Sequence, residues 1–116
     1  MSETFTNLGN LYYLSNRYGD AEKAYNKALE INEKLSIQNP KVFEIQLCNL
    51  LINFGIFQAD LFEKEPKQAY KTKGLSYAER AIYILSKYPD VPQAQDYMKR
   101  AIDLKQKLEN PPVIEP

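Results

Sequence analysis

The 116-residue chain contains no histidine. That absence removes Ser-His-Asp and Cys-His triads and every zinc site that relies on imidazole. Cysteine is almost missing too. Cys48 stands alone and cannot close an internal disulfide, which excludes a disulfide-stapled secreted domain. Net charge is zero, because fifteen Lys and Arg offset fifteen Asp and Glu, so no overall field draws the chain to nucleic acid or to an anionic membrane. The longest strictly apolar run is Leu50-Leu51-Ile52, far short of the roughly 18 residues of a transmembrane span. The opening Met-Ser-Glu-Thr has no basic-then-apolar signal. These absences together predict a cytoplasmic location and no membrane partner.

What is present is an ordinary globular balance, 44% apolar and 26% charged. A single helical domain is expected over 1–109, followed by an extended Pro-rich tail over 110–116. Four glycines and seven prolines punctuate the chain, and the stretches between them suit helices. Arg17-Tyr18-Gly19-Asp20 predicts a tight turn with Asp20 as N-cap. Asn39-Pro40 predicts a break with Asn as cap and Pro at the first helical position. Helices are expected near 3–17, 20–37, 41–63, 67–87 and 92–109. Period-two runs of β-branched and aromatic residues are missing, so the class is all-α.

The third predicted helix carries two apolar stripes. Phe43, Leu47, Leu50, Phe54, Phe57 and Leu61 recur at steps of four and three. Ile45, Cys48, Ile52 and Ile56 lie roughly 200° around. A helix apolar on opposite sides belongs in the middle of the assembly. The last helix is one-sided, with Ala94, Tyr97, Met98, Ala101, Ile102 and Leu108 opposite a charged face. That pattern suits a terminal cap.

Self-similarity organises the rest. Asn7-Leu8-Gly9-Asn10-Leu11-Tyr12 aligns with Asn53-Phe54-Gly55-Ile56-Phe57-Gln58 at an offset of 46 residues. Downstream of the first come Ala21, Tyr25 and Ala28; downstream of the second come Gly74, Ala78 and Ala81. Gly9 and Gly55 would let a neighbouring helix approach closely, a reason to accept about 1 kcal/mol of lost helix propensity. The small residues downstream would line the partner helix, with Leu8 and Phe54 as knobs between.

Phe5, Leu8, Gly9 and Tyr12, followed by Ala21, Tyr25 and Ala28, resemble the opening and closing motifs of the tetratricopeptide repeat (TPR). The second copy is degenerate. Leu51, Phe54 and Gly55 fit, but Gln58 replaces the tyrosine and Ala78 the second aromatic. The Gly55-to-Gly74 distance is also seven residues longer than Gly9 to Ala21, and Asp60–Lys73 is expected to hold the insertion. The motif's terminal proline is missing from the first copy, where Glu33 stands. The second helix runs on instead, as in the longer-helix repeats that resemble kinesin light chains. The resemblance implies a right-handed α-α superhelix: repeat one over about 2–38, repeat two over about 41–88 and a capping helix over about 92–109.

TPR arrays are generally non-enzymatic scaffolds that bind peptides or proteins on a concave face built from the first helix of each pair. Carried over, that face holds Glu3, Thr6, Asn7, Asn10, Tyr13 and Leu14, then Asn49, Ile52, Asn53, Ile56, Ala59 and Asp60. The groove candidates are Asn7, Asn10, Tyr13, Asn49, Ile52, Asn53 and Ile56. An asparagine amide both donates and accepts, so it can hold a peptide backbone whatever its side chains. Family members that bind chaperone C-termini use lysines here, whereas this chain has Thr6 and Ile52. The expectation is a mostly uncharged groove for an extended or helical partner segment. The alternative is an oligomerisation or sensory module of a larger signalling protein, with no peptide ligand. Two helix pairs are few for a solenoid, so a homo-oligomer is a further expectation.

Other chemistry is poorly supported. Cys48 reads as a buried structural thiol. Asp60, Glu63 and Glu65 read as solvated charge rather than an acid/base pair. No Asp-x-Asp-x-Asp-Gly loop or Gly-rich phosphate loop occurs, so neither a metal nor a cofactor is expected. Acidic residues interleave with the lysines at 64–73 and 99–107, against nucleic-acid binding. Tyr12, Tyr25, Tyr77 and Tyr97 read as packing residues, and Tyr13, Tyr18, Tyr83 and Tyr88 as exposed ones.

Overall fold

The computed structural model describes residues 2–110, so the expected tail after Asn110 lies outside the described residues. Five α-helices account for nearly all of it: α1 (Ser2–Leu14), α2 (Tyr18–Gln38), α3 (Pro40–Lys64), α4 (Gln68–Leu85) and α5 (Pro92–Glu109). No strand occurs among the described residues, and the fold is an all-α helical-repeat stack.

The turn chemistry differs from expectation at the first corner. Asn16, not Gly19, takes the left-handed conformation, with φ 61°. Arg17 N–H donates to the Tyr12 carbonyl and Asn16 N–H to Tyr13, which ends α1 in a Schellman motif. Asparagine tolerates that conformation better than other side chains, so α1 stops early and α2 starts at Tyr18. Asp20 lies inside α2 and pairs with Arg17 at 2.7 Å instead of capping. Pro40 opens α3 as the first helical residue, although the Asn39 side chain makes no cap hydrogen bond. The extra residues of repeat two go into helix, leaving only residues 65–67 to join α3 and α4.

The helices form two layers. Tyr13 meets Phe57 edge-on while Thr6 and Asn7 face Asn49, so α1 and α3 run parallel. Asn53–Arg100 and Asp60–Lys107 set α5 parallel to α3 as well. The second layer is α2 and α4, tied at the surface by Lys73–Glu22 and Arg80–Glu33 ion pairs. Each helix packs on its chain neighbours, and α3 also touches α1 and α5. α1 and α5 come nowhere within 8 Å of one another, Cα to Cα. The result is an open stack, not a closed bundle.

Both stripes of α3 are used. Leu50, Phe54 and Phe57 pack with Ala21, Tyr25 and Ala28, while Cys48 and Ile52 join Ala81, Leu85, Ala94 and Ala101. Among the described residues, α3 is the one helix whose length and composition would also suit a membrane span. Over half of its apolar window is buried inside the fold, as expected of the central helix of a stack.

The glycines permit this packing. A methyl group added to Gly9 would lie 2.6 Å from Cε1 of Tyr25. Gly55 and Gly74 face each other across the α3–α4 crossing, each hypothetical Cβ within 3.6 Å of the other's carbonyl oxygen. Phe54 stacks between Tyr25 and Tyr77, at ring separations of 5.2 and 4.8 Å. Its counterpart Leu8 is only half-buried and Ile102 is exposed, corrections to both expected packing roles. Of the four tyrosines expected at the surface, Tyr83 alone is exposed. Tyr13 and Tyr18 pack around Phe57, and Tyr88 donates to Glu44 at 2.7 Å.

Candidate functional site

A cleft of about 320 Å³ opens between α1, α3 and α5. From α1 it receives Glu3, Thr6 and Asn7, and from α3 Gln46, Asn49 and Leu50. Gln93 and Tyr97 come from α5, and the buried Asn32 of α2 also lines it. Five of these side chains are primary amides. Glu3 supplies the one charge in the lining, and no lysine or arginine is among these residues.

Helical periodicity explains the convergence. Glu3, Thr6 and Asn7 share one face of α1, and Gln46, Asn49 and Leu50 repeat the same spacing on α3. Parallel packing then brings the two faces together at one level. An amide surface of this kind offers donors and acceptors in equal measure. It contains no histidine, thiol or paired carboxylate with which to begin acid–base or nucleophilic chemistry.

The seven groove candidates separate here. Asn7 is exposed and Asn49 half-buried, and both line the cleft. Asn53, the sequence equivalent of Asn7, lies further along and accepts a hydrogen bond from Arg100 Nη2 at 3.4 Å. Asn10 accepts the hydroxyl proton of Tyr25, whose burial pushes its pKa up to about 12. Tyr13 rests edge-on against Phe57 at 5.5 Å. Ile52 is fully buried, a correction from groove to core, because α5 packs over that side of α3. Ile56 is half-buried and borders a second cleft of about 280 Å³ with Arg100, Leu104 and Lys107.

Gln46, Gln93 and Asn32 were missed as lining residues. Gln46 was within reach, since it extends the Asn49 and Asn53 row by one turn. Asn32 carried a fainter signal, a polar residue four positions after Ala28 on the buried face of α2. Gln93 gains its place only from how α5 docks, which no local pattern reveals.

Elsewhere the titratable groups serve packing. Cys48 is fully buried with its thiol 3.7 Å from the Ala81 carbonyl oxygen, and burial raises its pKa to about 12. Such a thiol stays protonated and unreactive. Asp60 and Glu63 share Lys107, and Glu65 pairs with Lys67. No group of three potential metal ligands occurs among the described residues.

No curated protein and no solved structure matches the chain. Residues 2–35, which hold α1 and most of α2, match the family model of the tetratricopeptide repeat, whose usual role is to bind other proteins.

Proposed function

We propose that this protein is a non-enzymatic, cytoplasmic scaffold that holds a segment of a partner polypeptide in the cleft between α1, α3 and α5. The observation that carries the proposal is the lining itself: five amides with a single carboxylate. Such a surface satisfies a peptide backbone while making little demand on side-chain charge. The apolar anchors expected from Ile52 are under α5, so the grip is chiefly polar, through Asn7 and Asn49. With 21 and 25 residues, α2 and α3 support the likeness to longer-helix repeats of the kinesin light chain type.

Selection from a displayed library of random 12-residue peptides tests this reading. The expected result is a set of peptides whose affinity drops at least about tenfold when Asn7 and Asn49 are both changed to alanine, one lost hydrogen bond each being worth about 1 kcal/mol. Peptides that bind wild type and double variant equally would place the ligand elsewhere.

A further inference from the structure

Gln58 is wholly enclosed, yet neither its amide oxygen nor its amide nitrogen has a hydrogen-bond partner. An enclosed amide of this kind forgoes the bonds that water would supply, so any local opening that wets it is favoured. Its place on α3 shows which element opens. Gln58 lies about one turn beyond Gly55 on the side facing α4, and its Cβ is 3.6 Å from a Cβ built on Gly74.

That end of α4 has little to hold it. Among residues 68–74 Gly74 alone is buried, whereas Ala78, Ala81, Ile84 and Leu85 anchor the second half of the helix. Lys67 has the extended backbone of an N-cap residue, φ −87° and ψ 131°, but its side chain makes no cap hydrogen bond. The first turn holds no acidic residue. Lys67, Lys71 and Lys73 instead place cations near the positive end of the helix dipole. Gly74 then brings the lowest helix propensity short of proline. All of these weaknesses fall on the segment that lies against the unpaired amide.

The same glycine seats α5. A Cβ on Gly74 would lie 2.6 Å from Cδ1 of Leu108, and Leu104 and Leu108 share a buried cluster with Ala59 and Ala78. We propose that the first two turns of α4 and the last two turns of α5 open together as one unit, while the rest of the stack stays folded. Gln58 is enclosed in the closed form and hydrated in the open one, so it sets the balance between them. Leu104 and Lys107 form one wall of the second cleft, opposite Ile56 and Ala59, so the open form widens it. Gln93 and Tyr97, which line the first cleft, sit in the other half of α5 and stay in place. The device therefore does not depend on what the first cleft binds.

Native-state hydrogen exchange of the 116-residue chain, read by NMR, tests this. The amides of Thr72, Lys73 and Gly74 on α4 and of Leu104 and Leu108 on α5 are expected to share one opening constant. Both groups should exchange at least about a hundredfold faster than Ala81 and Ala101, in the anchored halves of the same helices. Gln58→Met keeps an unbranched side chain of similar length without the amide, and should slow both groups at least about tenfold. Lys67→Asp supplies a cap to α4 alone, and should slow the α5 group by the same factor as the α4 group, about fivefold. Protection of either group equal to that of Ala81 overturns the proposal. So does exchange that Gln58→Met leaves unchanged, or an α5 group that does not respond to Lys67→Asp.

Discussion

The α1–α2 hairpin carries the repeat signature almost complete, yet α3–α4 supplies most of the core. Gly9, Tyr25 and Ala28 sit at their motif spacings, and residues 2–35 match the repeat family. The second hairpin lacks the motif's tyrosine and its second aromatic, and still Leu47, Leu50, Leu51, Ile52, Phe54 and Phe57 are at most 2% exposed. The difference separates two roles that a motif tends to merge. Signature residues mark where two helices approach; the amount of buried surface depends on how many neighbours a helix has. α3 has four, and α1 has two.

Truncation at equivalent positions gives the largest contrast. Phe54→Ala should cost about 3–5 kcal/mol in urea unfolding, because the ring fills a fully enclosed space between Tyr25 and Tyr77. Leu8→Ala, at a position that is only half-buried, should cost about 1 kcal/mol or less. Equal losses would mean that position in the motif, not burial, sets the stability.

The glycines offer a finer contrast. A Cβ at Gly9 would meet the Tyr25 ring, which is held between Phe54 and Phe57 and has little freedom to move. Gly9→Ala should cost about 1–2 kcal/mol, the overpacking exceeding the gain in helix propensity. At Gly55 the nearest atom is a terminal methyl of Leu104, the far end of a flexible side chain. Gly55→Ala should stay within about 0.5 kcal/mol of wild type, since the propensity gain offsets the adjustment. The reverse order in thermal midpoints would show that the α1–α2 contact is the looser one.

The smallest effect concerns pH. Burial alone would raise the pKa of Glu44, but the hydrogen bond from Tyr88 and the nearby Lys87 outweigh it and lower the pKa below 4.5. A depressed carboxylate adds stability above its unfolded pKa and loses it as pH falls through the folded one. Glu44→Gln should therefore cost a few tenths of a kcal/mol at pH 7, with wild type and variant converging as acid titrates the carboxyl through its lowered pKa. A loss that stayed the same in acid would mean that the Glu44–Tyr88 bond adds no pH-dependent stability to repeat two.

The helical class, the central place of α3 and the close approach at Gly9 and Gly55 were all legible, because each follows from local spacing. The first corner was misread. Gly19 looked the obvious turn former, and the choice of Asn16 depends on where α1 runs out of partners. The candidate site was half legible. Asn7 and Asn49 follow from the repeat register, but their equivalents do not all behave alike. Asn53 is engaged by Arg100, a side chain 47 residues away. Ile52 looked like a groove residue because its covering helix lies beyond the second repeat. Gln58, at the motif's tyrosine position, is wholly buried with neither amide atom hydrogen-bonded, which its polar character gave no reason to expect.

That α1 and α5 flank the cleft without touching has a mechanical consequence. Both flanking rods rest on α3, so a slight bow in that one rod changes the aperture on both sides at once. A guest seated between the flanking rods would act as a spacer and stiffen the whole stack.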